Sequence, residues 1–266
     1  MSVAVPWVVP ALLLVAWQLA GDLGVLSARV LPTPAAVARA GAQLAESGEL
    51  WRHLGVSFGR AATGFLIGGS IGLALGGLTG VSRAAEAVFD GTVQMLRTVP
   101  HLALVPLVIL WFGVGEAAKV FLVALGVLFP VYLNTHHGVR SVDPGLVEMG
   151  RLYGLGRWGL FRRVLLPGAL PSILVGVRYA LGVMWLTLIV AETIAATSGI
   201  GYLAMTAREF LRTEVVVLSI LLYALLGKLA DVAARLLERW WLPWHPTFAR
   251  APSAAAVPDD PAGGGR

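Results

Sequence analysis

The 266-residue sequence contains no cysteine, which removes disulfide frameworks, thiolate nucleophiles and cysteine zinc sites from its chemistry. It is also poor in charge. Asp, Glu, Lys and Arg make up 13% of the residues and apolar residues 57%, against about 25% and about 45 to 50% in ordinary soluble domains. A core of this size cannot bury so much apolar surface, so lipid, which accepts apolar side chains all round a helix, is the expected solvent. The phosphate-cradling pattern G-x4-G-K-[ST] occurs nowhere, so ATP is not held by that route. The apolar stretch Met1 to Gly21 lacks the Lys or Arg that normally precedes the apolar part of a secretory signal. It is read as a retained first span.

The sequence pI of about 10.1 would point to nucleic acid in a soluble protein. Here the basic residues are spread as short clusters between apolar stretches, so membrane topology explains them and no nucleic-acid partner is expected. Six apolar segments lie near Val5 to Gly21, Ala61 to Val81, Leu102 to Val114, Val120 to Asn134, Ile173 to Ala196 and Val215 to Val232. A straight span needs about 20 residues, and the third and fourth segments are shorter. They contain Pro106 and Pro130, which neighbouring helices make tolerable. Broken helices are common around transport pathways, and single kinks occur in many other membrane proteins.

Six spans put both termini on one side. Arg83, Arg97, Arg140, Arg151, Arg157, Arg162 and Arg163 fall in the connections Ser82 to His101 and Thr135 to Leu170, and Arg235 and Arg239 follow the last span. That marks this side as cytoplasmic. The bias is modest, because Arg29, Arg39, Arg52, Arg60, Lys119, Arg208 and Arg212 fall opposite. Trp240, Trp241 and Trp244 suit an interfacial anchor. From His245 the chain is rich in Pro, Ala, Gly and Asp and reads as a disordered cytoplasmic tail.

Gly64, Gly68, Gly72, Gly76 and Gly80 recur at four-residue spacing along the second segment. They share one helix face and expose backbone to a close neighbour, either as plain packing or as a surface that slides during gating. Between the fourth and fifth segments, Asp143 and Pro144 suit a helix start. A first short helix is expected from Gly145 to Tyr153, stopping at Gly154, and a second from Gly156 to Leu166, ending before Pro167. The pair forms an arginine-rich surface with Leu, Tyr, Trp and Phe, suited to docking a soluble partner or to resting on lipid.

Charges inside spans are costly. Glu192 and Arg178 are fourteen residues apart, about 21 Å on one helix, and so cannot pair along it. Arg178 is expected to snorkel to the cytoplasmic headgroups or to contact the loop. Glu192 faces the pathway or a partner subunit and helps form an outer gate, or else makes a structural hydrogen bond to another helix. Ser198, Gly199, Gly201 and Tyr202 form a tight or re-entrant external turn that could close the pathway. His136 and His137 lack a third ligand and read as interfacial or backbone-bonded residues, so no metal site is expected.

Glu148, Gly154, Val164, Leu166 and Pro167 match the intervals E-A-A-x3-G-x9-I-x-L-P of the loop signature of binding-protein-dependent importer permeases, with Met149 and Gly150 in place of the alanines and Val164 in place of isoleucine. The chain therefore resembles the permeases of ATP-driven importers. Further matches run from Leu31 to Trp241: Leu31-Pro32-Thr33-Pro34, Arg97-Thr98-Val99-Pro100, Leu104-Val105-Pro106-Leu107, Ile109-Leu110-Trp111-Phe112-Gly113, Phe129-Pro130 with Asn134, Val190-Ala191-Glu192 and Ser198-Gly199-Ile200-Gly201-Tyr202-Leu203. These look like the sulfonate, taurine and nitrate branch. Its members are associated with aliphatic sulfonates, taurine, nitrate and aromatic vitamin precursors, so the motifs specify the branch and leave these substrates open.

The resemblance implies an all-α, six-span permease in the bacterial inner membrane with both termini cytoplasmic. It implies a second permease copy or homologue, two ATP-binding subunits that carry ATP and Mg, and an external substrate-binding protein. The chain itself would bind no cofactor and would not be an enzyme. The organisation expected is residues 1–55 as first span and external connection, 56–241 as permease core with a coupling loop at 138–167, and 242–266 as tail. Within the loop Glu148 caps or orients, Gly154 ends the first helix and Pro167 starts the next span. A secondary transporter would instead need inverted repeats and paired ionisable groups near the midplane. A membrane enzyme would need converging His, Asp or Glu residues, which are scattered here.

Overall fold

Apolar runs without free polar backbone partners must close their hydrogen bonds locally, and the chain does so as helices. The computed structural model describes residues 5–243; the expected tail and Trp244 lie, from residue 244 on, outside them. The helix α1 (Val5–Asp22) has 18 residues, about 27 Å and just short of a 30 Å hydrocarbon core. The amphipathic helix α2 (Pro34–Glu46) starts where the Thr33 hydroxyl accepts from the Ala36 amide and Pro34 fixes the first turn, and it buries Val37, Ala40 and Leu44. There follow α3 (Glu49–Val81), α4 (Arg83–Thr98), α5 (Val105–Phe112), α6 (Glu116–Arg140), α7 (Pro144–Leu152), α8 (Arg157–Leu160), α9 (Leu166–Ala195), α10 (Ile200–Glu209) and α11 (Thr213–Trp241). Among the described residues four runs are long and apolar enough to cross a membrane: α3, α6, α11 and a continuous stretch Arg157–Ile194 through α8 and α9.

The glycine stripe of α3 sets the central contact. A Cβ at Gly68 would lie 2.1 Å from the Ala124 carbonyl oxygen, at Gly72 2.6 Å from that of Leu128, and at Gly76 2.6 Å from that of Tyr132. Gly64 and Gly80 press likewise on Val123 and Val139. The matched numbering shows α3 and α6 running parallel, with α6 backbone packed into the glycine face. The helix α9 runs antiparallel to α6, with Gly138 against Ala169 and Gly126 against Val183 and Thr187. The core joins Ala61, Val123, Val127, Val131, Ala180, Met184, Trp185, Leu188, Ile200 and Tyr223.

Two expectations change. The third crossing is not confined to Leu102 to Val114, and Ser82 to His101 is not a loop. The Ser82 hydroxyl caps α4 by accepting from the Ala85 amide. Along α6, Glu86 pairs with Arg140, Tyr132 donates to Asp90 at 2.8 Å, Val93 packs with Phe129 and Tyr132, and Val105 and Val108 pack with Ala118 and Leu122. The segment from Arg83 to Phe112 therefore runs antiparallel along the whole of α6, broken at Val99 and Pro100, where a proline forbids a continuous helix. Hydropathy alone missed α4 because one of its faces is polar.

Pro167, in turn, does not separate a second surface helix from the next span. The chain passes from α8 through a π turn, Phe161–Leu165, directly into α9, with the Leu166 amide donating to the Phe161 carbonyl. The wider turn absorbs the proline, which has no N–H to offer and a ring that crowds the preceding turn.

Gly68→Ala should destabilise the detergent-solubilised protein by about 1 to 3 kcal/mol, because a methyl group would meet α6 backbone. Gly77→Ala, with nothing within 4 Å, should stay within about 0.5 kcal/mol of the parent. Thermal unfolding of both variants checks this, and equal melting temperatures would reject the close contact.

Candidate functional site

Polar residues on the otherwise apolar α3 recur at His53, Ser57 and Arg60, spacings that place them on one face. That face meets the break between α9 and α10. Gly199 turns the chain there with φ +110°, a conformation that favours glycine. The first amides of α10 would be orphan donors inside the bundle. Each finds a side chain: Gly199 N–H donates to His53 Nδ1 at 2.9 Å, Ile200 N–H to Ser57 Oγ at 2.9 Å and Gly201 N–H to Glu192 Oε2 at 2.9 Å.

Glu192 is the hub. It is 1% exposed and accepts from Ser57 Oγ at 2.8 and 2.9 Å, from Arg60 Nη1 at 2.8 Å and from the Tyr223 hydroxyl at 2.9 Å. Arg60 also donates to both Glu116 oxygens at 2.5 and 2.6 Å, to the Ser198 carbonyl at 2.6 Å and to the Ser198 hydroxyl at 3.0 Å. Lys119 adds a contact to Glu116 at 3.3 Å. A buried carboxylate is tolerated only when paired and fully hydrogen-bonded, and this one is.

The carboxylate thus points into its own bundle and makes the hydrogen bonds to neighbouring helices that the structural reading expects. Ser198, Gly199, Gly201 and Tyr202 do gather around it, but the loop ends at Gly199. Gly201 and Tyr202 already belong to α10, and Tyr202 lies against His53 with ring centroids 5.9 Å apart. Sequence reasoning missed His53, Ser57, Arg60, Glu116 and Tyr223; the 4-and-3 spacing of the first three was the available signal.

At the other end of the bundle the elbow between α7 and α8 ends its first helix at Gly154, as expected, while its second runs on into α9. Asp143 Oδ1 accepts from the Gly145 amide at 2.8 Å and so caps α7. Glu148 does not cap, because it sits mid-helix and exposed, too far from the free amides. Gly154 adopts φ +79°, while its amide bonds the Arg151 carbonyl at 2.9 Å and the Leu155 amide bonds that of Gly150 at 3.0 Å, the double closure that ends a helix at a left-handed residue. Gly150 is buried, and a methyl there would meet Leu160, Leu155 and Val164. Val164 lies on the π turn and Leu166 and Pro167 open α9. Leu146, Met149, Leu152, Tyr153 and Trp158 are exposed, beside exposed Arg151, Arg157, Arg162 and Arg163.

Other charges find partners that were not expected. Arg178 does not contact the loop: its Nε donates to Asp231 at 2.9 Å on α11, with Glu238 at 3.9 Å, a pairing between helices that spacing along one helix cannot show. His136 is buried against Thr79, its Nδ1 2.9 Å from the hydroxyl, so it is side-chain-bonded, not interfacial.

Removing Glu192 should leave the Gly201 amide and the Ser57 and Tyr223 hydroxyls without their acceptor and take one of its partners from Arg60. Glu192→Ala is expected to cost about 3 to 5 kcal/mol and Glu192→Gln, which keeps the shape, less. In a thermal-melt double-mutant cycle with Arg60→Met, a coupling near zero would show that the pair does not hold the break.

The pattern "Binding-protein-dependent transport system inner membrane component" matches residues 52–242. A permease of Escherichia coli K12 named for aliphatic sulfonates transport, SsuC, is 64% identical, covering 91% of this chain and 92% of that protein. Its Bacillus subtilis namesake is 48% identical over 90% and 87%. The taurine transport system permease TauC of Escherichia coli K12 is 37% identical over 88% and 87%. Among solved structures, an amino acid ABC transporter chain aligns with a TM-score of 0.62 at 18% identity, covering 75% of this chain and 97% of that one. A chain of the MetNI methionine ABC transporter aligns at 0.51 and 20%, covering 71% and 94%. The fold is thus that of ABC importer permeases, and by sequence the chain belongs to the binding-protein-dependent transport system inner membrane components, as a multi-pass permease subunit.

Proposed function

We propose that this chain imports small organic anions of the sulfonate class, as one of a pair of permeases driven by two ATP-binding subunits that carry ATP and Mg and fed by an external substrate-binding protein. The observation that carries the reading is the elbow. A rigid turn locked at Gly154 presents Leu146, Met149, Leu152, Tyr153 and Trp158 to solvent between arginines, an apolar patch with a charged rim of the kind that marks a protein interface. The sulfonate and taurine names of the relatives supply the substrate class.

A mechanical route joins the elbow to the far end. The helical run Arg157–Ile194, about 57 Å long, begins in the elbow and ends just beyond Glu192. A tilt imposed by the ATPase pair at one end therefore reaches the α9 to α10 break at the other as a rigid-body movement. On this reading Glu192 fastens the outer gate and the break at Ser198 and Gly199, with the start of α10, is the part that moves. Both termini would be cytoplasmic. This is supported by α1, whose C-terminal end meets α2 at the end of the bundle away from the elbow, where Gln18 accepts from the Ala35 amide. An ion-driven carrier is disfavoured, since the buried Arg60 and Glu192, with the exposed Glu116, sit level with the first turn of α6 and hold structure.

In proteoliposomes containing the assembled complex, ATP-dependent uptake of an alkanesulfonate is expected, and absence of uptake with a sulfonate-loaded binding protein would reject this substrate class. Gly154→Val, strained at positive φ, should keep the complex assembled and hydrolysing ATP while uptake falls at least about tenfold. Uptake per ATP equal to wild type would reject the elbow as the coupling point.

A further inference from the structure

The rearranged third crossing moves one arginine from a loop into the membrane layer. Val93 packs beside Phe129 and Tyr132, and Arg97 lies one helical turn further along α4, which runs antiparallel to α6. Its level is therefore near Leu125 to Leu128, the middle of α6 (Glu116–Arg140). Downstream, Val105 and Val108 reach Ala118 and Leu122, so Arg97, in the last turn of α4, sits between two fixed points and away from both ends of α6. Its side chain is exposed.

Among the described residues no ion pair includes Arg97. The preceding acid of α4, Asp90, is occupied by the Tyr132 hydroxyl and the Gln94 amide. An unpaired guanidinium at that depth is too costly to face lipid and must face a polar space. The other intramembrane cations differ: Arg60 and Lys119 are 3% exposed and paired, and Arg178 is paired with Asp231.

We infer that Arg97 lines the translocation pathway at mid-membrane and is the transient partner of the transported anion, with the break at Val99 and Pro100 keeping the side chain clear of a following helical turn. A guanidinium presents a planar fork of donors that matches the oxygens of a sulfonate. Exposure, with no competing carboxylate in place, allows the anion to leave as well as arrive. This rests on the importer reading above and names the chemistry by which the pathway favours anions.

The absence of cysteine allows a direct test in the reconstituted complex. The thiol introduced by Arg97→Cys should react with a membrane-impermeant methanethiosulfonate in at least one nucleotide state, and excess alkanesulfonate should slow the labelling. Arg97→Gln should lower alkanesulfonate uptake at least about tenfold with assembly and basal ATP hydrolysis kept, while Arg97→Lys retains part. A thiol unreactive with and without ATP, or wild-type uptake by Arg97→Gln, would overturn the inference. Should the wild-type complex move no sulfonate while nitrate still protects the thiol, the anion site stands and the sulfonate assignment falls.

Discussion

Inside lipid, a backbone amide that loses its helical partner has no water to turn to, and each departure of this chain from a straight helix is built around that constraint. The α9 to α10 break frees three amides, and three side chains, from His53, Ser57 and Glu192, receive them. Two of those groups need support of their own, since a carboxylate in the interior must be neutralised and a hydroxyl must donate. Arg60 and Tyr223 complete the first, and Ser57 donates to Glu192 while accepting from Ile200. The ion pairs at this end are therefore the consequence of a helix break, and the residues follow in order from the need to cap it.

The same constraint shapes the opposite end. Pro167 would leave a carbonyl unmatched in a straight helix, and the π turn before it shifts the register so that α8 flows into α9. Because the transition is helical throughout, the elbow and the α9 to α10 break are carried on one rod. The glycine contact of α3 with α6 complements it, since five close backbone approaches make that pair a block against which α9 can tilt. Packed interiors rearrange between discrete arrangements more readily than they bend, which favours rigid-body motion of the rod.

Much of this was legible in the residues. The spacing from Glu148 to Pro167 placed the elbow, and Gly154 has the left-handed backbone that ends a helix. The glycine stripe announced a close neighbour, though not that the neighbour was α6. What escaped was of two kinds. Contacts between distant segments, such as Arg178 with Asp231 or Ser57 with Glu192, have no signature along one helix. And α4 was hidden because hydropathy averages over faces: Glu86, Asp90, Gln94 and Arg97 lower the mean of a helix whose other residues, Val88, Phe89, Met95 and Leu96, are exposed and apolar.

Charge counting failed for the same reason, and the failures are informative. Arg60 and Lys119 counted against the cytoplasmic assignment of the loops, yet both are buried beside the α9 to α10 break, where they neutralise Glu116 and Glu192 and carry no topological information. Arg97 counted in its favour, yet stands at mid-membrane. The positive-inside rule weighs only charges left in water at the span ends, so each of these three must be removed from the tally. What remains on the counted side is Arg83, Arg235 and Arg239 with the run Arg140 to Arg163, of which Arg151, Arg157, Arg162 and Arg163 share the elbow with the apolar patch. On the proposed importer reading, the cluster that would orient the chain in the membrane is the same cluster offered to the motor, so a single stretch of sequence would set both where the energy enters and from which side.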